Sequence, residues 1–74
     1  MGLGNQMVVK IFRKTKDVME YARELGFNLQ LDQGRFSKQK KINGATWIFE
    51  GFVHSLADGL CNIKLIVRGG IEEV

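Results

Sequence analysis

The amino-acid sequence predicts a small α+β domain in which one helix packs on a mainly antiparallel β-meander, in the order β-α-β-β-β. Three observations support this prediction. The chain has 74 residues, which is the size of one domain. The segment 15–25 has apolar residues at helical spacing. The segments around it are rich in β-branched and aromatic residues and are separated by glycine-containing turns.

The first strand and the helix are predicted from local patterns. Residues 7–12 form an apolar run rich in β-branched side chains, which is typical of a strand. Thr15 is the predicted N-cap, because its hydroxyl can accept a hydrogen bond from a free amide of the first helical turn. Gly26 is expected to end the helix in the left-handed region, with Phe27 following in a Schellman motif. The apolar stripe of the helix consists of Val18, Met19, Tyr21, Ala22 and Leu25.

A meander of three or four strands is predicted after the helix. The segment 27–31 alternates apolar and polar residues, as a half-buried strand does. Residues 35–42 form the next predicted strand, and Asn43-Gly44 follows it as a type I′ hairpin turn, in which both residues have positive φ. The last strand is predicted over residues 60–68.

The segment 45–56 leaves two alternatives open. Its aromatic and β-branched content, Gly51 in its middle and the preceding Asn-Gly turn favour a strand. A helix would change the order to β-α-β-β-α-β, which is the ferredoxin-like pattern. The residues that fit helical spacing are Ala45, Ile48, Phe49, Phe52, Val53 and Leu56.

The composition argues against several classes of protein. An apolar fraction of 45% and a charged fraction of 26% are ordinary globular values, so we do not expect disorder. One Cys cannot form an intrachain disulfide, and one His with one Cys cannot supply a four-ligand zinc site. We expect no metal, no cofactor and no enzymatic activity, since no catalytic constellation stands out. No transmembrane segment or signal peptide is visible, and we expect a cytoplasmic location.

The predicted domain covers residues 7–70. Residues 1–6 are polar and glycine-rich and are expected to be a flexible leader, and residues 71–74 are expected to be a tail. Domains of this size are marginally stable on their own. Because neither a disulfide nor a metal is expected, association with a second copy or with another protein is the remaining way to stabilise the domain.

The predicted sheet has more apolar surface than one helix can cover. Trp47 lies on one face of its strand, while Ile48, Phe52 and the neighbouring Ile66 are expected on the other. An antiparallel sheet normally has one apolar and one hydrated face. We therefore expect Trp47, Ile48, Phe52 and Ile66 to contact a homodimer partner or another protein. The alternative is that sheet twist and the tail hide these side chains.

The positive charge is concentrated in two spans. Residues 10–16 and 35–41 each hold four of the 11 basic residues, and the second span contains no acid. A basic β-ribbon with nearby aromatic rings can follow a phosphate backbone. Lysine-rich strands also protect sheet edges from aggregation, so a simple solvated surface is the alternative. The residues expected to bind nucleic acid are Arg13, Lys14, Lys16, Arg35, Lys38, Lys40 and Lys41.

Two functions remain compatible with these patterns. The first is a small non-enzymatic nucleic-acid-binding module, which the charge distribution favours. The second is a protein-interaction module, such as a small regulator or inhibitor encoded by a phage or mobile element. That module would dock through the apolar sheet face or through an edge strand.

Overall fold

The computed structural model describes residues 6–69. Its elements are β1 (Gln6–Lys14), α1 (Thr15–Glu24), β2 (Gly34–Ile42), β3 (Ala45–Ser55) and β4 (Leu60–Gly69). The predicted α+β class and the β-α-β-β-β order are confirmed. The ambiguous segment forms the strand β3, Ala45–Ser55, so the ferredoxin-like alternative is wrong. The expected leader and tail lie outside the described residues, except for Gln6, which opens β1. Within the described range, no helix has the length and apolar character needed to cross a bilayer.

The four strands form one antiparallel sheet in the order β1-β4-β3-β2. The last strand therefore lies between the first strand and the rest of the meander, and β1 and β2 are the two edges. The tight turn between β2 and β3 has φ 50° at Asn43 and φ 85° at Gly44. These two positive values confirm the predicted turn chemistry.

The helix begins by a tertiary hydrogen bond and not by the predicted side-chain cap. Thr15 is the first helical residue, and Lys14 occupies the N-cap position without a side-chain hydrogen bond. The backbone N–H of Thr15 donates to the carbonyl oxygen of Gly59 at 3.1 Å, in the turn between β3 and β4. One of the free amides of the first turn is thereby satisfied by a distant segment.

The helix ends as its sequence predicts. Gly26 adopts φ 103° after the C-cap residue Leu25. The N–H of Phe27 donates to Ala22 O at 3.1 Å, and the N–H of Gly26 donates to Arg23 O at 2.9 Å. These two bonds constitute a Schellman motif, which satisfies carbonyl groups of the last turn.

The segment 27–31 is not a strand, in contrast to the prediction. It lies over the sheet, with Leu29 buried and Phe27 partly buried. The rings of Phe27 and Phe49 meet edge to face, with centroids 5.9 Å apart. Because α1 packs mainly on β1 and β4, this segment supplies cover above β3. Buried and exposed side chains therefore alternate along segment 27–31 as predicted, but its backbone lies above the sheet and does not pair with a strand.

The two faces of the sheet differ in what packs on them. Side chains of paired residues in an antiparallel sheet lie on the same face. The covered face packs against α1 and segment 27–31, and its strand residues in the core are Phe12, Phe36, Phe49, Val53, Cys61, Ile63 and Leu65. The open face has no second layer among the described residues and carries Val8, Ile11, Arg35, Ser37, Gln39, Lys41, Thr46, Ile48, Glu50, Phe52, Asn62, Lys64, Ile66 and Arg68.

Gly51 is required by the close approach of β3 to β4. Its φ of 152° is unusual for a residue with a side chain. A Cβ at this position would lie 2.1 Å from Asn62 O and 2.9 Å from the Cα of Ile63. Both atoms belong to backbone and cannot move without breaking the ladder. Glycine in the middle of β3 therefore permits the pairing of the two central strands.

Replacing Gly51 by alanine is expected to destabilise the domain far more than a comparable change elsewhere. Gly51→Ala should lower the free energy of unfolding by about 3 kcal/mol or more, since backbone must shift. Gly34→Ala is the control, because Gly34 has φ 105° but, apart from its chain neighbours, no atom of residues 6–69 lies within 4 Å of the place that a Cβ would occupy. It should cost only about 1–2 kcal/mol. Urea unfolding followed by Trp47 fluorescence measures both, and equal losses would contradict the explanation.

Candidate nucleic-acid interface

The structure does not bring the two basic spans together. Arg13 and Lys14 lie at the end of β1 and Lys16 lies in the first turn of α1. The span 35–41 lies on β2, at the opposite edge of the sheet. Two strands separate these edges, so the spans are about 14 Å apart across the sheet. The seven predicted nucleic-acid-binding residues therefore do not form one surface.

Acidic side chains of the helix offset the charge of the first span. A depression of about 490 Å³ lies between β1 and α1. Three cations and three carboxylates line it, so their fields largely cancel. These residues are Lys10, Arg13, Lys14, Asp17, Glu20 and Glu24. This edge is consequently a weak candidate for binding a polyanion.

The second span is divided between the two sides of the sheet. Lys38 and Lys40 lie on the covered side, because they pair with Phe49 and Trp47. The Nζ atom of Lys40 is 5.4 Å from the ring centroid of Phe27, a cation–π distance. Arg35 and Lys41 lie on the open face. Only these two members of the predicted basic ribbon share that surface.

Two cations of β4 join Arg35 and Lys41 on the open face. Lys64 pairs with Glu50, and Arg68 pairs with Thr46. The sequence prediction missed Lys64 and Arg68. The alternation of polar and apolar residues along β4 indicates that Lys64 and Arg68 lie on its polar face. Assigning them to a site with Arg35 and Lys41 also requires knowing which strands lie beside β4.

The apolar residues predicted to form an interface are also divided between the faces. Ile48 pairs with Ile66 on the open face, and Phe52 lies on the same face. Phe52 is 47% exposed, whereas Ile48 and Ile66 are 7% and 5% exposed. Trp47 instead lies on the covered side, opposite Val67, and its buried indole Nε1 has no hydrogen-bond partner among the described residues. Trp47 therefore does not contribute to the open face.

Two aromatic rings stand together on the open side of β3. The rings of Phe52 and His54 have centroids 5.2 Å apart and an interplanar angle of 48°. Both residues are exposed. Arg35 and Asn62 flank Phe52, since both pair with it from the neighbouring strands. The result is an exposed ring pair with a guanidinium group and an amide beside it.

A depression of about 600 Å³ lies next to this ring pair. Its volume is within the range of sites that hold one small molecule. The side chains that reach it from the open face combine two cations, one carboxylate, one hydroxyl and one ring. They are Arg35, Ser37, Glu50, Phe52 and Lys64, and backbone near Phe36 and Gly51 completes the lining.

Cys61 is a core residue on the covered face. It is 3% exposed, and its thiol donates to Phe12 O at 3.6 Å. Burial raises the pKa of the Cys61 thiol above its ordinary value, so the group is protonated at neutral pH. A neutral, buried thiol is a poor nucleophile.

Cys61 is expected to react slowly with thiol reagents in the folded protein. At pH 8, modification by an aromatic disulfide should be at least about tenfold slower in buffer than in denaturant, since the thiolate is both scarce and shielded. Absorbance of the released thiolate measures the two rates, with free cysteine in both solutions as the control for the reagent. Equal rates after that correction would show that Cys61 is accessible.

Comparisons with protein-family models, with curated proteins and with solved structures find no match for this chain. A function is therefore inferred from the charges, rings and strand register of the open face. Of these, the register carries most information, because it places cations of both β2 and β4 on the same face as the ring pair of β3.

Proposed function

We propose that this protein is a small, non-enzymatic module of the cytoplasm that binds single-stranded nucleic acid on the open face of its sheet. The observation that carries the proposal is the combination of four cations, one carboxylate and an exposed ring pair on one uncovered face. Cations attract phosphates, and exposed rings stack on bases.

The four cations lie on β2 and β4, on either side of β3, and β3 itself carries no cation on the open face between Thr46 and Phe52. Arg35 and Lys41 are six positions apart on β2, which corresponds to about 20 Å along the strand. Lys64 and Arg68 lie on β4, about 10 Å away across β3. A flexible strand could place its phosphates beside these groups and its bases above β3. Each neutralised phosphate releases counterions, which favours binding at low salt.

The ring pair favours a single strand over a duplex. Phe52 and His54 present ring surface to solvent, and base stacking on such rings contributes about 1–3 kcal/mol per base. Bases within a duplex are already stacked on each other and offer only their edges. The open face therefore fits unpaired bases better.

The alternative function is docking of a protein on the same face. Val8 and Ile11 support it, because they lie on the open face with exposed fractions of 53% and 54%. A second copy seated face to face would bring two sets of four cations together, each with one carboxylate. This repulsion disfavours a face-to-face homodimer. A polyanion accounts for the cations as well as for the rings, so nucleic acid is the favoured partner.

Removing two open-face cations is expected to weaken binding and its salt dependence. The double variant Lys64→Ala, Arg68→Ala should raise the Kd for a labelled oligonucleotide of about 12 nucleotides at least about tenfold at low salt. It should also reduce the slope of log K against log salt by about 1.4, since two phosphate contacts are lost. Fluorescence anisotropy with DNA and RNA over a salt series measures both quantities.

The matched control is the double variant Lys16→Ala, Arg23→Ala, which removes the same residue types from α1. It should leave the slope unchanged, because α1 packs on the other side of the sheet. Both variants should remain folded, with a free energy of unfolding within about 1 kcal/mol of the wild-type value. The proposal fails if the two variants lose equal affinity or if the wild-type protein binds neither DNA nor RNA. Sedimentation of a dimer that Phe52→Lys dissociates would support the alternative.

A further inference from the structure

We infer that the open face selects guanine at one position, through the carboxylate of Glu50 and the ammonium group of Lys64. This inference rests on the proposed function and adds a base preference to it. Glu50 is the one acidic side chain on the open face among residues 6–69. A carboxylate repels phosphates, so general binding to the backbone gives no reason for it.

The position of Glu50 suits contact with a base. It lies two residues from Phe52 on the same face of β3, which is about 7 Å along the strand. Both residues line the depression of about 600 Å³. A base stacked on the Phe52 ring and lying in this depression would direct its Watson–Crick edge toward Glu50. Bases of single strands are commonly recognised through that edge.

Hydrogen-bonding chemistry selects among the four bases. An ionised carboxylate only accepts hydrogen bonds. Guanine presents two adjacent donors, N1–H and N2–H, which match the two oxygen atoms of Glu50. Adenine and cytosine present one amino donor beside a ring nitrogen that accepts, and this acceptor repels the second oxygen. Uracil and thymine present one N–H between two carbonyl groups.

The neighbours of Glu50 continue the same pattern. Lys64 and Ser37 flank it on β4 and β2, because both pair with it. The guanine edge reads O6 acceptor, N1–H donor and N2–H donor in order. With Glu50 opposite the two donors, Lys64 can donate to O6 with one of its three N–H groups while another N–H contacts a phosphate. Lys64 therefore offers one donor and the two carboxylate oxygens of Glu50 offer two acceptors, in the order that complements the guanine edge.

A purely structural role for Glu50 makes a different prediction. Opposite charges paired across strands stabilise a sheet, so Glu50 could serve only to pair with Lys64. Removing the carboxylate would then change binding to all oligonucleotides in the same direction. If Glu50 recognises a base, its removal should change the affinity for guanine-containing strands and for other strands in different directions. Binding to guanine weakens, while binding to other sequences stays equal or tightens because a negative charge is lost.

Fluorescence anisotropy with oligothymidine strands of about eight nucleotides tests the inference, with one central position varied. The wild-type protein should bind the strand with central guanine about tenfold more tightly than the strand with thymine. Inosine, which lacks the N2 amino group, should lose part of this preference. Glu50→Gln should abolish the preference and leave the thymine strand bound at least as tightly as before.

Glu24→Gln is the matched control, because it removes the same charge from α1, away from the open face. It should retain the guanine preference. If the wild-type protein binds the strands with central guanine, adenine, cytosine and thymine equally, the base preference is wrong and the proposed function stands. If Glu50→Gln weakens the guanine and thymine strands by the same factor, Glu50 has a structural role only, which also overturns the inference. Absence of binding to every strand overturns both proposals.

Discussion

The central pairing of β3 with β4 sets the arrangement of the whole sheet. Its register runs from Ala45 opposite Gly69 to Ser55 opposite Leu60. Because side chains alternate along a strand, this register decides which residues enter the core and which meet solvent. A slip of one residue would expose Phe49 and bury Glu50. Gly51 makes the pairing possible, since the β4 backbone leaves no room there for a Cβ.

The small size of the second layer determines where a binding surface can form. The ten-residue helix covers β1 and β4, and the irregular segment 27–31 covers β3. Both lie on the same side of the sheet. The chain therefore places its available cover on one face and builds the other from alternating cations, polar groups and a few apolar residues. Such a face is normal for an antiparallel sheet in water.

The local features of the fold could be predicted well, because each depends on neighbouring residues. The helix with its Gly26 terminus, the Asn43-Gly44 turn and the strand periods are of this kind. The errors occurred where a distant segment replaced a local partner. Thr15 was predicted to cap the helix by its side chain. Instead, the backbone N–H of Thr15 donates a hydrogen bond to the carbonyl oxygen of Gly59. The alternation over 27–31 predicted a strand, but the ring of Phe27 packs on that of Phe49 and Leu29 is buried in the core.

The sequence predicted the class of the fold and the alternation of side chains within each strand, because both follow from short-range periodicity. It also identified Arg35, Lys41 and Phe52 as candidates for a binding surface. Which strands are neighbours became known from the tertiary structure alone. The order β1-β4-β3-β2 separates the two basic spans and adds Lys64 and Arg68 to the open face. Strand order depends on pairing between distant segments, and no local pattern in the chain encodes that choice.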